Sequence, residues 1–293
     1  MQKNMGLILI VLFAALIRLP LLNILPPGGE NTFFPRLVTV VTAIVSILLF
    51  YLVILQKSRQ KDLASVSAFV LTFLPWHIEQ SRIYSPFMLI LTFLLMVVLL
   101  WQIAACKRCK SVLVIFSSIV IWRLLPDLWI FHPPYILPNL TNILQHIFKL
   151  LSVDFLFFNN DSLWFGGLRT TGVFLPSGII IFLLGIGVVA KNFSQKYLWI
   201  LLSVLILTLL TALDPEFPET RIFFLTTPAL AYIAAQGILY LRKAYREKKW
   251  FAKAVIIFYA TILFYEHVLF FHTYTTHYVN RFAHDIPYEE RTY

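Results

Sequence analysis

The side chains able to do chemistry in this chain are few, and the densest group is the stretch Leu74-Pro-Trp-His-Ile-Glu-Gln-Ser-Arg82. It sets a helix breaker and an aromatic beside an imidazole, a carboxylate, a hydroxyl and a guanidinium. On side-chain chemistry alone it is either a kinked helix end or one wall of a polar cavity. Arg18, Arg36, Arg123, Arg169 and Arg221 are spread along the chain around it, with the carboxylates Glu30, Asp154, Asp161, Asp214, Glu216 and Glu219. Arginine grips phosphate oxygens through two parallel N–H bonds, so several guanidiniums on one side of a molecule invite a phosphate ligand. Taken singly, each is equally well a snorkelling side chain or half of a local ion pair. The adjacent Glu266 and His267 could pass a proton or simply mark a helix end. His272, His277 and His284 do not share a helical face, and no metal site is expected from them. Cys106 and Cys109, set among Lys107, Arg108 and Lys110, lack the second pair that zinc or redox chemistry would need.

These groups must be positioned by apolar elements. The 293 residues are 59% hydrophobic and 13% charged, whereas soluble domains carry about 25% charged residues. That excludes a water-soluble globule. The apolar runs are Gly6–Leu25, Pro35–Leu55, Leu63–Trp76, Ile83–Ala105, Ser111–Trp122, Val173–Ala190, Tyr197–Leu213, Ile222–Leu241 and Ala254–Phe271. A bilayer is crossed by roughly 20 apolar residues in a helix. The runs therefore predict an all-α transmembrane bundle of about nine helices, a single domain over 1–293 with no soluble domain. The third run is short and is expected to extend through Ile78, and the fifth through Leu125. The first is too long for a signal peptide and no small-residue cleavage site follows it.

Lysine and arginine gather in alternate connections: Lys57, Arg59 and Lys61; Lys107, Arg108 and Lys110; Lys191 and Lys196; then Arg242 through Lys253. The positive-inside rule places these in the cytoplasm, with the N-terminus inside and the tail from His272 outside. The net charge of +10 then suits an anionic membrane surface and not a nucleic acid. Residues 123–172 form a long outer loop rich in aromatics and prolines, of the kind that binds or covers a site. Within it Leu140–Leu151 reads as an amphipathic helix lying at the interface. Gly185 and Gly187 suggest close helix packing.

The residues also carry a resemblance. Pro75-Trp76-His77 followed by Ser81-Arg82 resembles the motif after the third membrane segment of GT-C-fold glycosyltransferases, in the branch of protein O-mannosyltransferases and lipid A aminoarabinose transferase. Leu151-Ser-Val-Asp-Phe-Leu-Phe-Phe-Asn-Asn-Asp161, with Gly172 and Pro176 beyond, is similar to that family's outer-loop pattern. Arg221, ahead of Pro228, Ala235 and Gly237, resembles its later arginine–helix segment. Arg18-Leu-Pro and Asn23-Ile-Leu-Pro-Pro-Gly28 resemble its first helix and exit.

The resemblance implies a polyprenyl-phosphate sugar as donor, membrane lipids as surroundings and glycosyl transfer at the outer face of a prokaryotic plasma membrane, as part of cell-envelope chemistry. No firm cofactor is expected, and the sequence does not support a divalent cation. Arg82, Arg221 and Arg169 become the groups expected to hold the donor phosphate, and His77, Ser81 and Asp161 the cavity walls. Family members carry an Asp-Glu motif in a long first outer loop. Here Gly28-Gly-Glu-Asn-Thr-Phe-Phe-Pro-Arg36 passes almost directly into the second helix. The catalytic base expected by resemblance must then be Glu30, Glu79 or Asp154. The alternatives are a silent relative that binds lipid-linked sugar or assists a partner enzyme, and a flippase or transporter. The latter is disfavoured by the absence of internal repeats. If Glu30 is the base, Glu30→Gln abolishes sugar transfer in a radiolabelled-donor assay, and full retained turnover removes it from the candidates.

Overall fold

The computed structural model describes residues 5–19, 33–82, 85–104, 110–113, 115, 138–158, 172–193, 195–213, 222–247 and 250–277. Among them every regular element is helical. The helices are α1 (Met5–Arg18), α2 (Phe33–Ser58), α3 (Lys61–Phe73), α4 (Pro75–Arg82), α5 (Pro86–Ile103), α6 (Leu140–Leu150), α7 (Val153–Phe157), α8 (Gly178–Lys191), α9 (Gln195–Ala212), α10 (Thr227–Glu247) and α11 (Trp250–His272). A 3-10 turn, Ile222–Thr226, leads into α10, and a π-helical turn, Thr273–His277, ends α11.

Among the described residues four units are long and apolar enough to cross a membrane: α2, α5, α10 with its leading turn, and most of α11 with most of its closing turn. Most of α1, the whole of α8 and most of α9 are apolar but shorter. The chain carries the helices of an integral membrane protein. Seven of the nine apolar runs each overlap one described helix, the third is divided between α3 and α4, and the fifth, Ser111–Trp122, falls largely outside the described residues.

The third run is not one helix. It breaks at Leu74, whose φ of −65° and ψ of 119° are extended. Pro75 has no N–H to give the preceding turn, its ring crowds the carbonyl four residues back, and it pushes the residue before it out of the helical region. The same ring suits the first position of a new helix, so α4 starts at once in a different direction. At the other end of α3 the link to α2 is only Arg59 and Gln60. Arg59 takes a left-handed φ of 57° and its N–H returns to Leu55 O at 2.8 Å, a helix-ending geometry that lets two helices fold back on each other.

The bundle is built around α10, which is largely buried. It packs between α8 and α3; α2 lies against α3, and α5 against α2. The α8–α10 crossing is reciprocal. A Cβ on Gly185 would sit 2.0 Å from Ile233 O, and one on Gly237 would sit 2.0 Å from Ile181 O. Each glycine lies four residues after the residue of its own helix whose carbonyl meets the other glycine, so each backbone nests in the notch left by the other. Gly187 faces open space and takes no part.

Peripheral helices are tied by a few polar contacts. The Tyr259 hydroxyl of α11 donates to Ser177 O, and Glu266 accepts from Ser177 N at 2.9 Å. Glu266 is thus an acceptor for a backbone N–H at the start of α8, one of the groups a helix leaves unsatisfied. Helix α6 has one face on the core and one exposed. Asn139 caps it by accepting from Asn142 N at 2.9 Å, Ile143 and Ile147 pack on the core, and Leu140 and Phe148 are exposed. His146 Nδ1 donates to Ala212 O at the end of α9, 2.9 Å away. Far from α4, Asp62 at the start of α3 meets Arg242 near the end of α10 at 2.7 Å.

Gly185→Ala and Gly237→Ala are each expected to destabilise the bundle by about 1–3 kcal/mol through overpacking, while Gly187→Ala changes stability by less than about 0.5 kcal/mol. Denaturant unfolding in detergent micelles measures all three, and equal effects at the three positions would contradict the nested crossing.

Candidate functional site

The break at Leu74 separates the carbonyls at the end of α3 from the N–H groups that would have continued the helix. A buried carbonyl left in that state needs a donor. Thr72 O receives one from Arg18, the last residue of α1. Arg18 is 0% exposed; its Nη2 donates to Thr72 O at 3.0 Å and to His77 Nδ1 at 2.9 Å, and its Nη1 donates to Ala14 O at 3.3 Å. One guanidinium therefore holds both sides of the break.

A guanidinium has only donors, so His77 Nδ1 must accept and the ring is neutral, with its proton on Nε2. That proton points to Ser46 Oγ of α2, 3.2 Å away, and Ser46 in turn donates to Ala43 O at 2.7 Å. Hydrogen bonds thus run from α1 through α4 into α2, with both His77 nitrogens engaged. Trp76, one residue earlier, fixes the same turn by packing. It stacks on Phe223 at 6.0 Å and meets Phe155 and Phe224 edge-on at 6.2 and 5.6 Å.

The rest of α4 carries the charges. Glu79 is 1% and Arg82 2% exposed, and Ser81 donates back to Ile78 O at 2.6 Å. The Arg82 guanidinium lies over the Tyr274 ring, 5.3 Å from its centroid, and Tyr274 stacks in turn on Phe270 at 5.8 Å. Arg18, Arg36, Glu79 and Arg82 all lie close enough to the Tyr274 phenol to act on it electrostatically. Arg36, on the first turn of α2, is itself buried. Three guanidiniums and one carboxylate thus meet at one end of the bundle, among groups largely removed from solvent. Charges so placed are costly unless they are paired or serve a ligand.

An apolar groove of about 650 Å³ runs beside this cluster. Its walls come from α1, α3, α8, α10 and α11, through side chains such as Phe13, Phe69, Ile181, Ile238 and Leu263. At one end are Ile17, Leu175 and Phe271, which pack in a small apolar cluster with Ile78, Phe270 and Tyr274. The groove therefore reaches the residues that cover Arg82. His267 lines it, with Nδ1 donating to Leu263 O of its own helix at 2.7 Å and its ring edge-on to Phe73.

Of the site residues expected from sequence, His77, Glu79, Ser81 and Arg82 are brought together on α4. Asp154 is exposed on the first turn of α7, not buried with Glu79. Glu30, Asp161, Arg169 and Arg221 lie outside the described residues. Sequence reasoning gave Arg18 and Arg36 only a share in a candidate phosphate role of the whole arginine group, with no individual part; their places at the end of α1 and the start of α2 were the available signal. Ser46 and Tyr274 were missed. A lone serine in an apolar run gives no sign of its partner, and Tyr274 lies in what reads as an external tail. Among the described residues no group of three His, Cys, Asp or Glu side chains is placed to hold a metal ion. No protein-family model, curated protein or solved structure matches the chain.

Ser46→Ala strips the acceptor from a buried imidazole N–H and is expected to cost about 1–3 kcal/mol. Ser203→Ala, which removes an exposed hydroxyl bonded only to its own helix, is the matched control and is expected to be near neutral in the same unfolding measurement.

Proposed function

We propose that this chain is a membrane glycosyltransferase of GT-C type that takes sugar from a polyprenyl-phosphate donor at the outer face of a prokaryotic plasma membrane. The observation that carries this reading is an apolar groove whose lining residues Ile17, Leu175 and Phe271 pack in one cluster with Tyr274, the ring beneath the buried Arg82 guanidinium. An isoprenoid phosphate has the same two-part chemistry: a long hydrocarbon and an anionic head. Arg82, with Arg18 and Arg36 around it, supplies positive charge where the head would sit, and the groove supplies a wall for the chain. Approach to the groove between α3 and α11 passes Phe69 and Phe264, both exposed, as a chain arriving sideways from a leaflet would require.

In the proposed reaction a carboxylate takes the proton of an acceptor hydroxyl while that oxygen bonds to the anomeric carbon. The bond from that carbon to the phosphate oxygen breaks, and the lipid phosphate departs with its negative charge held by the guanidiniums. Glu79 is the candidate base among the described residues that lies within the cluster; Glu30 and Asp154 are the others. The full proposal includes nine membrane helices, with the N-terminus in the cytoplasm and the tail from His272 outside. The Lys and Arg clusters support that orientation, and the buried arginines at the ends of α1 and α4 and the start of α2 agree with it.

The test is binding and turnover of a radiolabelled polyprenyl-phosphate sugar by the purified chain in nanodiscs. Binding with transfer is the expected result. Binding without transfer to any acceptor or with any partner supplied favours the silent relative, and no binding across several sugars removes the reading. Arg82→Ala is expected to weaken binding at least tenfold, about 1.4 kcal/mol. Ala260→Trp, at an exposed position lining the groove, is expected to weaken binding of long-chain polyprenyl phosphate while sparing a short-chain analogue. Equal effects on both would separate the groove from the chain.

A further inference from the structure

The geometry points to Arg18 as the positioning residue of the anion site: it acts through His77 and Thr72 O to set the direction of α4, and hence the place of Arg82. The inference rests on the proposed phosphate role of Arg82, but its ground is local. Helix α4 has only 8 residues, too few to hold its own direction. The extended Leu74 separates it from α3, so no continuous helix carries α3's direction into α4. Trp76 packs its first turn against Phe155, Phe223 and Phe224, and the Arg18–His77–Ser46 chain adds directional hydrogen bonds there, with contacts to α1 at 2.9 Å and to α2 at 3.2 Å. Arg82 lies five residues on, about 7.5 Å along the helix at 1.5 Å per residue. A tilt of α4 at His77 is therefore magnified at the guanidinium.

Arg18 is suited to this role by its shape as well as its charge. One Nη2 reaches Thr72 O and His77 Nδ1 together, spanning the break from the last turn of α3 to the first of α4. A lysine in its place keeps the positive charge near Arg82, but it carries that charge as a compact point on a flexible stem. Arg18→Lys therefore separates the two ways Arg18 could matter. If Arg18 served only as a cation for the ligand, lysine would preserve binding. If it positions α4, lysine fails although the charge is kept.

The experiment is a double-mutant cycle on the binding of long-chain polyprenyl phosphate in nanodiscs, with Arg18→Lys, Arg82→Ala and the pair. Arg18→Lys is expected to weaken binding about tenfold when Arg82 is present and by less than about twofold when Arg82 is already alanine. A general loss of fold would instead weaken both backgrounds equally, and that additive result overturns the inference. Unchanged binding in Arg18→Lys overturns it too. Should Arg18→Lys not fold, Ser46→Ala loosens the same chain from α2, and the same non-additivity with Arg82→Ala is required. If Arg82→Ala alone leaves binding unchanged, the phosphate reading itself falls and Arg18 has nothing to position. If Arg82→Ala weakens binding but the cycle is additive, only the role of Arg18 falls.

Discussion

A proline at position 75 withholds one hydrogen bond, and much of the polar end of this bundle is arranged around that omission. Breaking a helix in an apolar setting exposes carbonyls with no water to satisfy them. The chain supplies a guanidinium from α1, which has donors to spare, and an imidazole from α4 that accepts what remains. The imidazole then needs an acceptor of its own, found in Ser46. Each step is forced by the previous one, so the arrangement tolerates few substitutions.

The second constraint is steric. α8 and α10 approach so closely at Gly185 and Gly237 that each has the other's carbonyl where a Cβ would lie. That contact makes a compact centre on which α3 also packs. Helix α11 has no such seam. It is mostly exposed and meets the start of α8 through Tyr259 and Glu266. The space between α11 and the compact centre is the groove. Tight packing between α8 and α10, and a few polar ties from α11 to the start of α8, thus divide the bundle into a core and a cleft.

Much of the architecture was legible in sequence because membrane insertion depends on run length and composition, which are local. α2, α5, α10 and α11 announce themselves in this way, and Leu140–Leu150 by its two faces. The break at Leu74 was half legible: Pro75 marks it, but the apolar residues on both sides argue for continuity, and only the accounting of hydrogen bonds decides. Ser46 and Tyr274 were not legible, since their significance lies in what they face and not in their neighbours along the chain. Glu266 was misleading for a similar reason. Beside His267 it suggests a relay or a snorkelling end, whereas its partner is a backbone N–H far away in sequence. The groove left no trace at all, because it exists only as a separation between helices.

The order in which these parts occur along the chain has a consequence for biogenesis. The bonds that pin the break join residues 54 and 31 positions apart, all within α1 to α4. Tyr274, which covers Arg82, is among the last described residues. A chain emerging from its N-terminus can therefore set the pinned break while most of the bundle is still unmade. The Tyr274 side of Arg82 stays open until α11 and its closing turn dock. The cover over Arg82 is then completed only when α11 docks, and a nascent chain stalled before α11 would lack both that cover and the groove.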